Sequence, residues 1–374
     1  MKSNYKRLGD YIRLVDVRNK DLLSSELLGI NIDKYFMPSV ANIIGTDLRN
    51  YKLLNKGQFA CNPMHVGRDE KLPIALYLND TPAIVSPAYF VFEVADNRLL
   101  CKYLMLWFRR AEFDRECWFY TDASVRGGIT WEAICDMRLP IPTFAEQQKI
   151  VDAYNTIERR IELKRKINEN LVTQAKVILK NLYHSGKCFG EKICLDKFCT
   201  HIVSGGTPSR DCLSYWISAT ISWLKNGEVK NNLIFDTEEK ISQFGLDNSS
   251  AKLIQPYSIN MAMYCVSDIQ VSMSCIPLAT NQAILNLSTD SFRKSCFLYY
   301  LLMTYGNEIT ENANGSAQQN LSKESISAFE FFNPKLDNAC FDYFEKNIKA
   351  RMSIYKNMST LLKLQSAILC NISH

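Results

Sequence analysis

The sequence predicts a mixed α+β protein built as two versions of one unit, each a globular domain followed by a long helix. Three observations support this: the length of 374 residues, two long segments free of proline and glycine, and short motifs that recur in the same order after 187, 195 and 192 residues. A chain of this length exceeds one ordinary hydrophobic core. Hydrophobic residues at 47% and charged residues at 22% supply enough apolar surface for two cores and argue against disorder.

The first helix is expected over Ala145–Tyr183, where apolar residues recur at Ile150, Tyr154, Ile157 and Ile161, then at Ile167, Leu171, Ala175, Ile178 and Leu182. A polar stretch, Glu162 to Lys166, interrupts the stripe. Pro140 and Pro142 precede it, Thr143 and Glu146 have the spacing of a capping box, and Gly186 marks its end. The second helix is expected over Asn338–Ile372 after Pro334, with Phe341, Phe344, Ile348, Met352, Tyr355, Leu362, Ile368 and Ile372 in step. At 1.5 Å per residue each would be roughly 50 to 57 Å long. Neither can bury its stripe against a small domain alone, so the two are expected to pack on each other as a coiled-coil pair. The division that follows is a first domain over 1–142, a central spacer helix over 143–186, a second domain over 187–335 and a C-terminal helix over 336–374.

The domains match in outline. Leu8-Gly9-Asp10-Tyr11-Ile12 resembles Leu195-Asp196-Lys197-Phe198-Cys199, and Ser86 to Val91 takes the place of Asn281 to Asn286. Ser124 to Pro142 matches Ser316 to Pro334, with Ile129-Thr130-Trp131-Glu132-Ala133-Ile134 facing Leu321-Ser322-Lys323-Glu324-Ser325-Ile326. One unit has been duplicated.

Composition narrows the function classes. The longest apolar stretch, Phe297 to Tyr305, is about half the ~18 residues a membrane span needs. The N-terminus has basic residues without the apolar run of a signal peptide. Thirteen cysteines without a C-x-x-C pair, beside four histidines, read as thiols in a reducing cytosol. Cys188, Cys194 and Cys199 come nearest to a ligand cluster, yet their spacing fits no zinc pattern well. A net charge of +5 permits nucleic-acid binding without requiring it. There is no P-loop, no G-x-S-x-G and no H-E-x-x-H. Asn62-Pro63-Met64-His65 and Ser86-Pro87-Ala88-Tyr89 each lack the second proline of a methyltransferase Asp/Asn-Pro-Pro-aromatic segment. No catalytic residue and no metal ligand is assigned.

The strongest local signal is Gly205-Gly206-Thr207-Pro208-Ser209-Arg210, followed by Tyr215-Trp216 and Ile221 to Val229. Trp216 and Trp223 are expected to pack in the core. Thr207, Ser209, Arg210 and Lys225, as hydroxyls and cations beside a flexible loop, suit phosphate contacts.

The segments "GGTPSRDCLSYWISATISWLKNGEV", "NQAILNL", "GSAQQNLSKESISAFEFFNP" and "LPIPTFAEQQKIV" resemble the specificity (S) subunit of type I restriction-modification enzymes. The resemblance covers nearly the whole chain. It implies two target recognition domains, each reading one part of a split double-stranded DNA sequence, held apart by two antiparallel helices. It also implies partners: two modification subunits docked on the helices, and two restriction subunits when the complex cuts. S-adenosylmethionine would belong to the modification subunit, ATP and Mg to the restriction subunit, and no cofactor to this chain, which would act in a prokaryotic cytoplasm. The first domain departs from the pattern, with Val15 to Asp21 in place of a Gly-Thr-Pro-Ser signature. Its "CNPMHVGRDEKLPIAL" and "IVSPAYFVFEV" resemble another variety of the same domain, so the halves should read unlike sequences.

Base edges are read by Arg or Lys for guanine and by Asn or Gln for adenine. The candidates are His65, Arg68 and Arg126 in the first half, and Asn281, Gln282, Gln318, Gln319 and Asn320 in the second. Two other readings stay open on the residues alone: a coiled-coil adaptor whose domains bind protein, and a self-contained methyltransferase or nuclease.

Overall fold

The computed structural model describes residues 5–40, 45–64, 66–121, 127–264, 268–312 and 321–372. The chain forms two compact units, Met1–Glu162 with Ser359–His374, and Leu163–Met358.

The first unit is organised around a four-stranded sheet in the order Ile12–Leu14, Phe90–Val94, Phe59–Cys61, Ile74–Leu76, with every neighbour antiparallel. Phe59 and Phe92 stack across two strands at 5.0 Å, and Phe108 meets both edge-on. Phe108 ends the helix Cys101–Phe108, in which every residue from Tyr103 onward is buried. A helix apolar all round can only lie inside a core.

The second unit repeats the plan. Its main sheet runs His201–Ser204, Ile284–Ser288, Ile259–Ala262, Val271–Ser274, again antiparallel throughout, and adds Leu233–Ile234 as a parallel fifth strand. The helix Phe292–Tyr305 covers it, capped by Ser291, whose hydroxyl accepts from the Lys294 N–H. Behind the strands of this sheet, a second one joins Ile221–Leu224 in parallel to Ala279–Thr280 and antiparallel to Glu239–Ile241.

The duplication extends to hydrogen-bond register. Arg7 faces Arg138 as Cys194 faces Glu330, and Ala60 faces Val91 as Asn260 faces Asn286. The Leu8 N–H donates to the Met137 carbonyl at 2.8 Å, and the Leu195 N–H to the Phe329 carbonyl at 3.0 Å. Leu8 and Leu195 are both fully buried.

The long helices are Phe144–Ser185, 42 residues or about 63 Å, and Asp342–Asn371, 30 residues or about 45 Å. The first opens as predicted. Thr143 donates to the Glu146 carboxylate through its N–H at 2.9 Å and its hydroxyl at 2.7 Å, while the Glu146 N–H returns to the Thr143 hydroxyl at 3.4 Å. It closes at Gly186, whose φ of +64° favours glycine and whose N–H reaches the carbonyls of Leu182 and Tyr183. The second starts later than its periodicity suggests, because a tight turn over Ala339–Phe341 comes first, capped by the Asn338 side chain.

Within the second unit the two helices run antiparallel. Asn347 Nδ2 donates to the Leu171 carbonyl at 3.0 Å, Arg351 Nε to Asn168 Oδ1 at 3.0 Å, and the Tyr343 hydroxyl to Gln174 Oε1 at 3.5 Å. Ala175, Leu179, Phe344 and Ile348 share one core with Ile178, Met352 and Tyr355 packed on it, and Leu171 is half-buried. In the first unit Ile150, Val151 and Tyr154 share a core with Ile368, Leu369 and Ile372; Ile161 is buried and Ile157 half-buried. Two positions of the expected stripes differ from expectation. Leu362 is 42% exposed, and Leu361 is 8% exposed in its place. The inward stripe passes from Tyr355 through half-buried Met358 to Leu361, whereas the expected stripe stepped seven residues from Tyr355 to Leu362 and left Met358 out. Ile167 is likewise exposed, in keeping with the polar interruption beside it.

Arg351 is fully buried among neutral acceptors. Besides Asn168 it donates to the Tyr300 hydroxyl at 3.0 Å and the Tyr299 hydroxyl at 3.4 Å, with its guanidinium over both rings. Tyr300 donates in turn to Asn347 Oδ1, and Tyr299 to the Asn231 carbonyl at 2.9 Å. Replacing Arg351 by Met strands several buried polar groups at once. Arg351→Met should lower the unfolding free energy of the second unit by about 3 kcal/mol in urea titrations, while exposed Lys363→Ala stays within about 0.5 kcal/mol of the parent.

Candidate nucleic-acid interface

The glycine-rich loop of the second unit is clamped rather than flexible, which corrects the expectation from sequence. The Gly205 N–H donates to the Ile284 carbonyl at 3.1 Å and the Gly206 N–H to the Thr280 carbonyl at 2.8 Å. A Cβ on Gly205 would lie 2.2 Å from Thr280 Oγ1, and one on Gly206 2.3 Å from the Ser250 carbonyl carbon. Close approach of backbone on both sides is why only glycine fits. Both tryptophans tie the loop down from the other direction: Trp223 Nε1 donates to the Gly206 carbonyl and Trp216 Nε1 to the Ser209 carbonyl, each at 3.0 Å. Their rings meet edge-to-face at 5.2 Å. Trp223 is buried as expected, whereas Trp216 is half-buried at the margin of that small core.

This frame gathers six of the predicted side chains. Arg210 lies with its Cζ 3.7 Å over the Trp216 ring and donates through Nη1 to Glu239 Oε2 at 2.5 Å. Lys225 pairs with Glu239 Oε1 at 3.1 Å and Glu238 Oε2 at 2.7 Å. The two cations therefore face two carboxylates. The hydrogen bond from Arg210 holds the Glu239 carboxyl below the ordinary glutamate range, with Lys225 adding to it and burial opposing. Hydrogen bonds to Glu238 and Glu239 raise the Lys225 ammonium in turn. Glu228 organises the turn, accepting from the backbone N–H of Lys225 and of Glu238, both at 2.9 Å.

Beside this cluster, the Thr207 hydroxyl donates to the side-chain oxygen of exposed Gln282. The Asn281 N–H is bound by the Leu224 carbonyl at 3.0 Å, and its buried side-chain oxygen accepts no hydrogen bond among the described residues. Ser209 is exposed and contributes its carbonyl to Trp216. Gln318, Gln319 and Asn320 lie outside the described residues.

In the first unit Arg68 is exposed on the short turn Val66–Asp69 and forks onto Asp69, Nε to Oδ1 at 2.7 Å and Nη2 to Oδ2 at 2.9 Å. His65 and Arg126 lie outside the described residues. Their neighbours are nevertheless brought together: the Gly67 N–H donates to the Gly127 carbonyl at 3.2 Å and the Ile129 N–H to the Pro63 carbonyl at 3.1 Å. The sequence reading did not single out Glu238 and Glu239. Their only signal is adjacency, since they reach Arg210 and Lys225 through the antiparallel pairing of Trp223 with Glu239.

No helix among the described residues is long and apolar enough to cross a membrane, and no group of three potential metal ligands forms among them. Of the cysteines described, Cys61, Cys117, Cys135, Cys188, Cys199 and Cys296 are buried and Cys370 is exposed. Burial pushes Cys61 and Cys199 up to about 12, far from a reactive thiolate.

The family model of the type I restriction modification DNA specificity domain matches residues 70–173 and 191–369, one stretch in each half. The chain belongs to that family. Its role is DNA sequence specificity, and it is not by itself an enzyme. It is 22% identical over 407 aligned residues to the type I restriction enzyme HindI specificity subunit of Haemophilus influenzae, across 87% of this chain and 85% of that one. Over 280 residues it is 24% identical to the EcoR124I/EcoR124II specificity subunit of Escherichia coli, across 67% of this chain and 63% of that one. In fold it resembles the crystal structure of the type I restriction-modification system S subunit from M. genitalium, with a TM-score of 0.57 at 13% identity over 99% of this chain and 96% of that chain.

Two measurements check the clamp. Gly205→Ala should cost about 1–3 kcal/mol of stability through overpacking, whereas Gly227→Ala, with nothing within 4 Å of its added Cβ, should be nearly neutral. Because the Glu239 carboxyl titrates below its unfolded value, its contribution is fully present above the ordinary glutamate range and is lost as pH falls through the lower folded value. Acid unfolding monitored by tryptophan fluorescence should therefore lose stability more steeply below that range in the parent than in Glu239→Gln.

Proposed function

We propose that this chain reads a bipartite double-stranded DNA target, one recognition domain per half, and positions modification subunits that methylate adenine within it. The observation that carries the proposal is the shared strand order and register of the two units, filled with unlike side chains at their candidate reading loops. Equivalent frames place two loop sets in equivalent ways. The Ile129 N–H donates to the Pro63 carbonyl in the first unit as the Leu321 N–H does to the Met263 carbonyl in the second, each at 3.1 Å. Different loops on one frame read different half-sites.

The division of labour follows from the chemistry present. Base recognition needs hydrogen-bonding side chains on stiff supports, which the clamped loop provides. A methylated adenine must leave the base stack to reach a catalytic pocket, and that pocket belongs to the modification subunit with its S-adenosylmethionine. Two modification subunits bind the helical frame, and two restriction subunits, with their ATP and Mg, join when the complex cuts. The expected domains are 1–142 and 187–335 on helices over 143–186 and 336–374.

Co-expression with its modification subunit, followed by mapping of methylated adenines, should yield two specified blocks separated by an unspecified gap. A single uninterrupted motif would overturn the proposal. Binding of the assembled complex should also weaken steeply with salt, as phosphate contact requires; salt-insensitive or absent binding would favour a protein-binding adaptor instead.

A further inference from the structure

The charge arrangement around the clamped loop separates two ways of touching DNA. Phosphate neutralisation depends on net positive charge, and its signature is steep salt dependence. Arg210 and Lys225 do not present net charge, since Glu238 and Glu239 face them within 2.5–3.1 Å. Phosphate contact is therefore a poor use of this cluster.

What the cluster does present is a fixed donor fork. The guanidinium of Arg210 is held flat by the Trp216 ring at 3.7 Å and held in rotation about that plane by Glu239 at one terminal nitrogen. Trp216 is in turn hydrogen-bonded to the Ser209 carbonyl and packed on Trp223, so its plane is set by the core. The Arg210 side chain is 53% exposed, and its Nε and Nη2 make no other hydrogen bond among the described residues. A planar fork with one edge braced and the other open matches the O6 and N7 acceptors of guanine, which Arg reads bidentately.

The geometry points to Arg210 as a guanine-reading residue of the second half-site and to Glu239 as the positioning residue that aims it. This rests on the proposal that the chain reads DNA sequence. Glu239 also keeps the reader from binding any duplex by charge alone. Neither task is open to Lys at position 210, which keeps the charge but has neither the plane nor the second donor edge.

The test uses the full chain assembled with its modification subunit, comparing parent, Arg210→Lys and Glu239→Gln. The readouts are the methylated motif and the salt dependence of binding to a duplex lacking it. Arg210→Lys should broaden one G·C position of one half-site, with preference there falling roughly 10- to 100-fold and salt dependence unchanged. Glu239→Gln should broaden the same position and steepen the log–log salt slope by about one, as one unpaired cation becomes available to phosphate. A uniform fall in methylation by Arg210→Lys with no broadening would make Arg210 a phosphate contact and overturn the inference. So would an unchanged salt slope and motif in Glu239→Gln, or a parental bipartite motif without a G·C position in either half. A parent motif that is not bipartite fails the proposed function itself, whereas a bipartite motif unmoved by Arg210→Lys fails this assignment alone.

Discussion

A long helix in water must find a partner for its apolar stripe, and in the second unit that partnership turns on one buried arginine. Arg351 occupies a place in the seam where an apolar residue would serve packing equally well. Its donors instead reach the opposing helix at Asn168 and the domain helix at Tyr299 and Tyr300. Apolar faces slide past one another at little cost. A guanidinium with several oriented acceptors does not, because displacement by one turn would leave each of them buried and unbonded. The network thus selects one alignment of helix, helix and domain from several that burial alone would tolerate.

The duplicated frame and its divergent filling obey separate constraints. Strand register is locked by the alternation of side chains, since a one-residue slip would turn every core residue outward. This is why Ala60 and Val91 face each other at the same crossing as Asn260 and Asn286. The pleat dictates that these positions point inward but leaves open what meets them there. In the first unit they join a small apolar cluster. In the second, Asn286 Nδ2 bonds to Thr280 Oγ1 at 2.8 Å, so a polar layer links the two sheets. Thr280 lies beside the glycine loop, which is thereby coupled to the centre of its domain.

These distinctions also explain what was legible in the amino-acid order. Helix ends are local chemistry, and the Thr143–Glu146 box and Gly186 stood out because their partners lie within four residues. The matched starts were legible because Leu8 and Leu195 answer to the same short-range turn and the same buried slot. Leu361 displaced Leu362 because the true stripe drifts with 3.6-residue geometry through Met358, whereas a strict heptad does not. The acidic partners of Arg210 and Lys225 were invisible for a different reason. They arrive through strand pairing from 13 residues or more away, and no local pattern announces a cross-strand neighbour. The looseness expected of Gly205-Gly206 failed on the same ground, as glycine serves close approach as readily as it serves motion.

The clamped loop has an evolutionary consequence. With backbone pressed against it on two sides, it cannot lengthen, shorten or swing without dislodging Trp223 and the strand beneath. On the proposed reading of DNA by this half, new targets are reached by exchanging the side chains that emerge from this fixed rim. Such exchanges are single substitutions, so a lineage pressed to change its recognised sequence has a short path to a new one.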